Sequence, residues 1–268
     1  MKKTLSKDGT LIAFDQSGQG PALILVTGAI ARRTDAARLA ASLSPNFTVI
    51  SYDRRGRGES GDTPPYAVER EVEDLDALIT EAGGAAFVFG HSSGAVLALE
   101  AARLLPTRIT KLALYEPPFI IDDSRPPVPE GSARHLANLV SSGRRGKAVE
   151  YFMIQVGTPA EAIAQMRQAP VWSGFEAVAH TLAYDMTIVE DTERGDPSPL
   201  RKWATVTVPT LVMDGTVFLG REENHAFLRH GAQALTSILP HAQHRILEGQ
   251  DHGPADDVLA PALVEFFL

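Results

Sequence analysis

The sequence predicts an α/β fold in which helices flank a mostly parallel central sheet. Short apolar runs such as PALILVTG, at 21–28, have the pattern of strands that are buried on both faces. Longer segments with apolar residues at helical spacing alternate with these runs, which implies parallel pairing. The 268 residues fit one large domain or a domain with an inserted subdomain, and 44% of them are hydrophobic, enough for a substantial core.

Strands and helices alternate in the first part of the chain. Strands are predicted at 10–18, 21–28, 47–53, 85–90 and 109–116, the first of them an edge strand closed by a glycine turn. Helices are predicted at 32–45, 66–84 and 94–106. Pro45 ends the first helix, and two glycines end the second.

The alternation stops after Pro117 and resumes beyond Trp203. Between them the pattern predicts helices at 131–141, 145–156, 159–168 and 171–186, with no comparable strand. Strands at 207–215 and 244–249 follow, with helices at 222–239 and 255–267. We therefore predict a core domain formed by 1–118 and 204–268 and a helical cap subdomain at 119–203. The length of the cap lies within the usual range for a subdomain.

Bulk composition excludes several classes of protein. The formal charge of −8 and the pI near 5.5 argue against nucleic-acid binding. The chain has no cysteine, so it has no disulfide, thiolate metal site or cysteine nucleophile. No apolar run predicts a signal peptide or a membrane span, and no spacing predicts a metal or cofactor site. We expect a cytoplasmic monomer or homodimer that acts on a small molecule.

The pentapeptide GHSSG, at 90–94, lies where a predicted strand meets a predicted helix. It fits the G-x-S-x-G nucleophile elbow, whose tight turn requires small flanking residues and strains the backbone at its tip. The start of the following helix also favours developing negative charge. Ser92 is therefore the predicted nucleophile, and the backbone N–H of Ser93 is a predicted oxyanion donor.

Together with the elbow, the strand ending in LVTG, the turn YDRRGRGES and the late EGQDHG make the chain resemble the α/β-hydrolase superfamily. The resemblance covers the whole length and is closest to cap-bearing serine hydrolases of the esterase and lactonase type. It implies a cap inserted after the strand that follows the elbow. It also implies a second oxyanion N–H after LVTG, for which Ala29 is the first choice and Gly28 or Ile30 are alternatives.

The catalytic base is predicted to be His252, one of eight histidines. It follows the last predicted strand, where the family places this residue, and it agrees with the order serine, acid, histidine. His91 lies in the elbow and is expected to point away from the face that carries Ser92. The other histidines are expected to pack or to lie on the surface.

The predicted acid departs from the usual family position, which falls near Phe218 and carries no carboxylate. Some relatives, including certain dehalogenases and zearalenone-type lactonases, supply a glutamate at the end of the strand after the elbow. LALYEPPF places Glu116 there, and a histidine N–H is a suitable partner for a buried acid. Glu116 is the predicted acid, with Asp214 as the alternative.

These residues predict a serine hydrolase that cleaves a carboxylic ester or lactone through an acyl-enzyme on Ser92. A C–C bond hydrolase, a cofactor-free perhydrolase and a catalytically silent ligand-binding protein are the alternatives. The expected substrate pocket consists of Ile30, Phe119, Trp172, Phe175, Tyr184 and Phe218.

One segment matches the glycine pattern of a dinucleotide-binding motif but lacks its structural context. GRGESG, at 56–61, matches G-x-G-x-x-G, but the prolines that follow prevent a helix from starting there. The neighbouring arginines, in DRRGR, are expected to form a solvated or ion-paired turn.

Overall fold

The computed structural model describes residues 1–217 and 225–268. These residues form an eight-stranded sheet in the order β1-β2-β4-β3-β5-β6-β7-β8. Its strands are Lys2–Leu5 (β1), Leu11–Ser17 (β2), Ala22–Val26 (β3), Thr48–Tyr52 (β4), Ala86–His91 (β5), Ile109–Tyr115 (β6), Thr210–Asp214 (β7) and Ala242–Ile246 (β8). β2 pairs antiparallel with β1 and β4, and every other pairing is parallel. The predicted α/β fold is confirmed.

Helices cover both faces of this sheet. They are Ala37–Leu43 (α1), Val68–Glu81 (α2), Ser93–Leu104 (α3), Ser132–Ser141 (α4), Arg145–Gln155 (α5), Ala160–Gln168 (α6), Val171–Ala177 (α7), Leu182–Val189 (α8), Ala226–Ile238 (α9) and Asp256–Phe267 (α10). Successive residues of a strand point to opposite faces. Leu23 and Leu25 accordingly join the core cluster that contains α1 and α10, whereas Ile24 and Val26 join the one that contains α2, α3 and α9.

The structure differs from the predicted elements in three places. β1 was not predicted, because a four-residue edge strand with a single buried residue has no apolar run. The helix predicted at 32–45 begins with a 3-10 turn, Arg33–Ala36. The helix predicted at 171–186 is broken by another 3-10 turn, Ala179–Thr181, into α7 and α8. The first three positions of the helix predicted at 222–239 lie outside the described residues.

The segment between β6 and β7, which we call the insertion (residues 119–203), contains α4 to α8 and no strand. Its last helix, α8, packs against α3 and α2 of the sheet domain. The insertion therefore lies over the helix that follows the predicted nucleophile. Its assignment as a separate cap subdomain stays a prediction.

Within residues 1–217 and 225–268, no helix has the length and apolar character needed to cross a membrane.

Candidate active site

The parallel strands bring distant parts of the sequence to one edge of the sheet. Ser92 directly follows β5, Glu116 follows β6, and His252 lies between β8 and α10. The carboxyl ends of parallel strands open on the same edge, where open α/β sheets bind ligands. The order of the strands therefore places the predicted serine, acid and histidine at the same edge of the sheet.

The turn at Ser92 has the strained backbone expected of a nucleophile elbow. Ser92 has φ 56° and ψ −127°, a conformation that side chains of L-residues rarely adopt. A Cβ atom on Gly90 would lie 2.5 Å from the Gly94 carbonyl oxygen, and one on Gly94 would lie 2.4 Å from that of Val26. Both positions must be glycine, because the helix and the strands approach too closely for a side chain.

Glu116 and His252 are in direct contact. His252 Nδ1 lies 2.7 Å from Glu116 Oε2, and the Gly215 N–H donates to Glu116 Oε1 at 2.9 Å. His225 Nε2 lies 3.3 Å from the same Oε1 atom. Burial alone would raise the pKa of Glu116, but the hydrogen bonds from His225, His252 and Gly215 outweigh it and lower the pKa to about 2. Glu116 is therefore an ionised, fully buried carboxylate that orients the His252 ring.

The alternative acid, Asp214, has other partners. It accepts from Arg229 Nε at 3.1 Å and contacts His244 Nε2. His225 Nε2 lies 3.7 Å from Asp214 and bridges it to Glu116. The sequence predicts only a packing or surface role for His225, and no local sequence signal links it to the acid.

Two further side chains fix the loop that carries His252. His91 Nε2 lies 2.7 Å from the backbone oxygen of His252, so the ring nitrogen donates its proton to this carbonyl. Burial lowers the pKa of His91 to about 3, which keeps the ring neutral. The Tyr115 hydroxyl donates to the Asp251 carbonyl at 2.5 Å. Sequence reasoning missed both roles, although His91 lies inside the elbow motif.

The loop after β3 runs alongside the serine. A Cβ on Gly28 would lie 2.9 Å from the Ser92 Cβ atom, and Ala29 lines the same cavity as Ser92 and Ser93. Ser93 is the first residue of α3, where backbone N–H groups have no partner within the helix. That the backbone N–H groups of Ala29 and Ser93 bind the oxyanion stays a prediction. Ile30 packs partly against the core with φ 69°.

Buried charges hold this loop and the insertion together. Asp185, from α8, accepts from Arg54 Nη1 at 2.7 Å, Arg57 Nη2 at 2.6 Å and Ser93 Oγ at 2.7 Å. Arg57 also donates to the Gly28 carbonyl at 2.6 Å. Both arginines are buried, so the arginine turn is ion-paired, and the solvated alternative is wrong.

A cavity of about 230 Å³ opens over Ser92 and His252. Its apolar wall comes mainly from the insertion and α9, which contribute Phe152, Val156, Met186, Val189, Phe227 and Leu228. Arg125 and Asp185 add charged groups to the lining, and Glu193 adds a carboxyl group. The arrangement suits a small, largely apolar molecule with a few polar atoms.

Ile30, which is predicted to bind substrate, is not part of this lining, and four other predicted pocket residues also lie away from it. Phe119 is buried and stacks on Trp203 at 5.5 Å. Trp172 packs edge-on against Phe175 at 6.4 Å, within the insertion. Tyr184 stacks on Tyr66, with 4.0 Å between ring centroids. Their large apolar faces contact other aromatic or aliphatic side chains, and Phe218 lies outside the described residues.

The fold and the site define an α/β hydrolase. The model of a family described as "Alpha/beta hydrolase family" matches residues 23–264. The chain belongs to this family.

Known proteins with similar sequences or structures include hydrolases. An alpha/beta hydrolase from Sphaerobacter thermophilus DSM 20745 superimposes with a TM-score of 0.90, at 53% identity over 100% of both chains. The 2-(acetamidomethylene)succinate hydrolase of Mesorhizobium japonicum is 29% identical over 88% of this chain and 83% of its own length. An uncharacterized hydrolase, YraK of Bacillus subtilis, is 32% identical, but the match spans 42% of this chain and 44% of that relative.

Proposed function

We propose that this hydrolase cleaves a carboxylic ester or lactone through an acyl-enzyme on Ser92. The observation that carries the proposal is the 2.7 Å contact between His252 Nδ1 and Glu116 Oε2, with Ser92 and His252 on one cavity. An ionised acid on Nδ1 keeps the proton there, so Nε2 is the unprotonated nitrogen that acts as the base.

The first half of the reaction forms the acyl-enzyme. Ser92 Oγ attacks the carbonyl carbon while its proton moves to His252 Nε2. The backbone N–H groups of Ser93 and Ala29 bind the resulting oxyanion. The intermediate then breaks the C–O bond, and His252 returns the proton to the departing alkoxide.

The second half releases the acid. His252 removes a proton from a water molecule, whose oxygen attacks the acyl carbon. The bond between that carbon and Ser92 Oγ then breaks, and His252 returns the proton to Ser92 Oγ. Glu116 stabilises the imidazolium that forms in each half-reaction and stays ionised throughout. The small, mainly apolar cavity favours a compact acyl or lactone substrate.

The test compares wild type with Ser92→Ala on p-nitrophenyl esters of increasing chain length and on several lactones. We expect the variant to lose at least about 10³-fold in kcat/KM. A fluorophosphonate should label wild type but not Ser92→Ala. Ser237→Ala, a matched control on the exposed side of α9, should behave as wild type.

Other outcomes separate the alternatives. Labelling without hydrolysis of any ester or lactone would favour a C–C bond hydrolase or a perhydrolase with the same three residues. Absence of both labelling and hydrolysis would favour a ligand-binding protein. Full activity in Ser92→Ala would contradict the proposal.

A further inference from the structure

Glu193 is a buried acid in the cavity that the reaction above does not use. It follows the 3-10 turn Glu190–Thr192 at the end of α8, and 7% of its surface is exposed. Its Oε2 atom has no hydrogen-bond partner among the described residues. A buried polar atom without a partner costs about 1–3 kcal/mol, so its position in the cavity lining points to a ligand.

The surroundings of Glu193 keep its carboxyl group protonated. Burial raises its pKa to about 8, and attraction to Arg125 and Arg194 offsets only part of this rise. Among residues 1–217 and 225–268, the other ionisable side chains in the cavity lining are His252 and Asp185, and Asp185 is bound by Arg54 and Arg57. At neutral pH the group is therefore a carboxylic acid, which has one proton to donate.

We propose that Glu193 is a specificity residue that donates a hydrogen bond to an oxygen atom of the substrate distant from the scissile carbonyl. Ser92 and Glu193 line the same cavity, so one molecule can contact both. The apolar side chains of the lining would surround the methylene groups in between. The inference rests on the proposed function and assigns the substrate class: esters or lactones whose acyl chain bears a ketone, amide or carboxylate oxygen.

The test uses ethyl esters, so that the leaving group stays constant. Ethyl 5-oxohexanoate and ethyl 6-oxoheptanoate are each compared with the alkanoate ester of the same length, and monoethyl glutarate tests an anionic oxygen. We expect kcat/KM to favour a chain with the distal oxygen by about tenfold, the factor that corresponds to 1.4 kcal/mol, near the upper end for one hydrogen bond.

Two substitutions separate the proton from the shape of the side chain. Glu193→Met has no donor and should reduce the preference by about tenfold. Glu193→Gln keeps an N–H donor and should retain the preference. In wild type the preference should fall between pH 7 and 9 as the carboxyl ionises, and in Glu193→Gln it should not.

Glu190 provides a matched control for the substitutions at Glu193. Glu190→Met removes an acid from the same turn, one that pairs with Arg194 and does not line the cavity, and it should keep the wild-type preference. An equal preference in wild type and Glu193→Met would overturn the inference. Selection of ethyl 6-aminohexanoate over the keto esters would also overturn it, because it would require an ionised Glu193.

Binding measurements distinguish this inference from failure of the proposed function. If no ester is hydrolysed, calorimetry with 5-oxohexanoate and hexanoate on wild type and Glu193→Met tests the same contact. Tighter binding of the keto acid by wild type alone supports the role of Glu193 without catalysis. If wild type and Glu193→Met each bind 5-oxohexanoate and hexanoate with equal affinity, the proposed role of Glu193 is wrong.

Discussion

Two buried glutamates in this molecule have pKa values shifted in opposite directions. Glu116, at the end of β6, has a pKa lowered to about 2, whereas Glu193, in the insertion, has a pKa raised to about 8. Burial acts in the same direction on both, because it disfavours the charged form. The difference lies in their hydrogen bonds. Glu116 accepts several, whereas the Oε2 atom of Glu193 accepts none from the part of the chain that the structure describes.

The comparison shows that position in a buried region does not decide whether a carboxyl is ionised. Arg125 and Arg194 attract Glu193, but this attraction is smaller than the effect of burial. Glu116 has histidine and backbone N–H groups directed at its oxygens. Direct donors therefore make Glu116 an anion that orients a base. Glu193, whose Oε2 atom has no donor among the described residues, remains a proton donor.

The largest expected effect comes from Glu116→Gln. The amide is nearly isosteric, but it cannot stabilise the His252 imidazolium or enforce the required tautomer. We expect kcat/KM on the best ester to fall by roughly 10³–10⁴-fold, as for removal of the acid from other serine triads. Steady-state kinetics on protein whose fold is verified by circular dichroism measures the loss.

Asp214→Asn is the matched control for this loss, because Asp214 is also buried and also bonded to a histidine. Its direct partners are Arg229, His244 and His225. We expect it to lose less activity than Glu116→Gln by at least about tenfold. A greater loss in Asp214→Asn would make Asp214 the acid and reverse our assignment.

Asp185 is a third buried carboxyl, and its pKa is lowered by nearby charges as well as by hydrogen bonds. Burial opposes this lowering, but Arg57 and Arg54 outweigh it. Asp185→Asn would leave two buried guanidinium groups short of a counter-charge, and we expect about 3–5 kcal/mol of lost stability. Urea denaturation measures the change.

The control for this change is an exposed ion pair. Asp76 contacts Arg108 at 2.8 Å, and 45% of the Asp76 side chain is exposed. Asp76→Asn should therefore cost no more than about 1 kcal/mol. Similar losses in both variants would mean that burial adds nothing to the Asp185 pairs.

The sequence was sufficient to predict much of the fold because each buried parallel strand leaves a continuous apolar run. PALILVTG and AAFVFG became β3 and β5, at the centre of the sheet. β1 was not predicted, because it is stabilised by pairing with β2 rather than by burial of its own residues. The break between α7 and α8 depends on how the insertion packs, which periodicity does not record.

The predicted catalytic residues carried local signals, whereas the cavity did not. Ser92 lies in a five-residue motif, and Glu116 and His252 lie at strand ends or in a loop after a strand. The aromatic residues chosen for the pocket were selected by type alone, and four of them pack elsewhere. Glu193 and Asp185 reach the cavity through the path of the insertion, which has no short motif.

The last prediction uses pH to separate the two glutamates. Glu193 has a folded pKa of about 8, above the ordinary 4.5, so its contribution to stability is complete below pH 4.5 and is lost as the pH rises to 8. Glu116, with a folded pKa of about 2, behaves oppositely: its contribution is present above pH 4.5 and is lost as the pH falls to 2.

Urea denaturation of wild type and Glu193→Gln between pH 5 and 9 measures this difference. The difference in unfolding free energy should change by up to about 1.4 kcal/mol per pH unit below pH 8, with wild type losing stability as the pH rises, and should level off above it. Glu190→Gln should give a curve parallel to wild type. A parallel curve for Glu193→Gln as well would mean that Glu193 is ionised at neutral pH, and the contrast with Glu116 would then disappear.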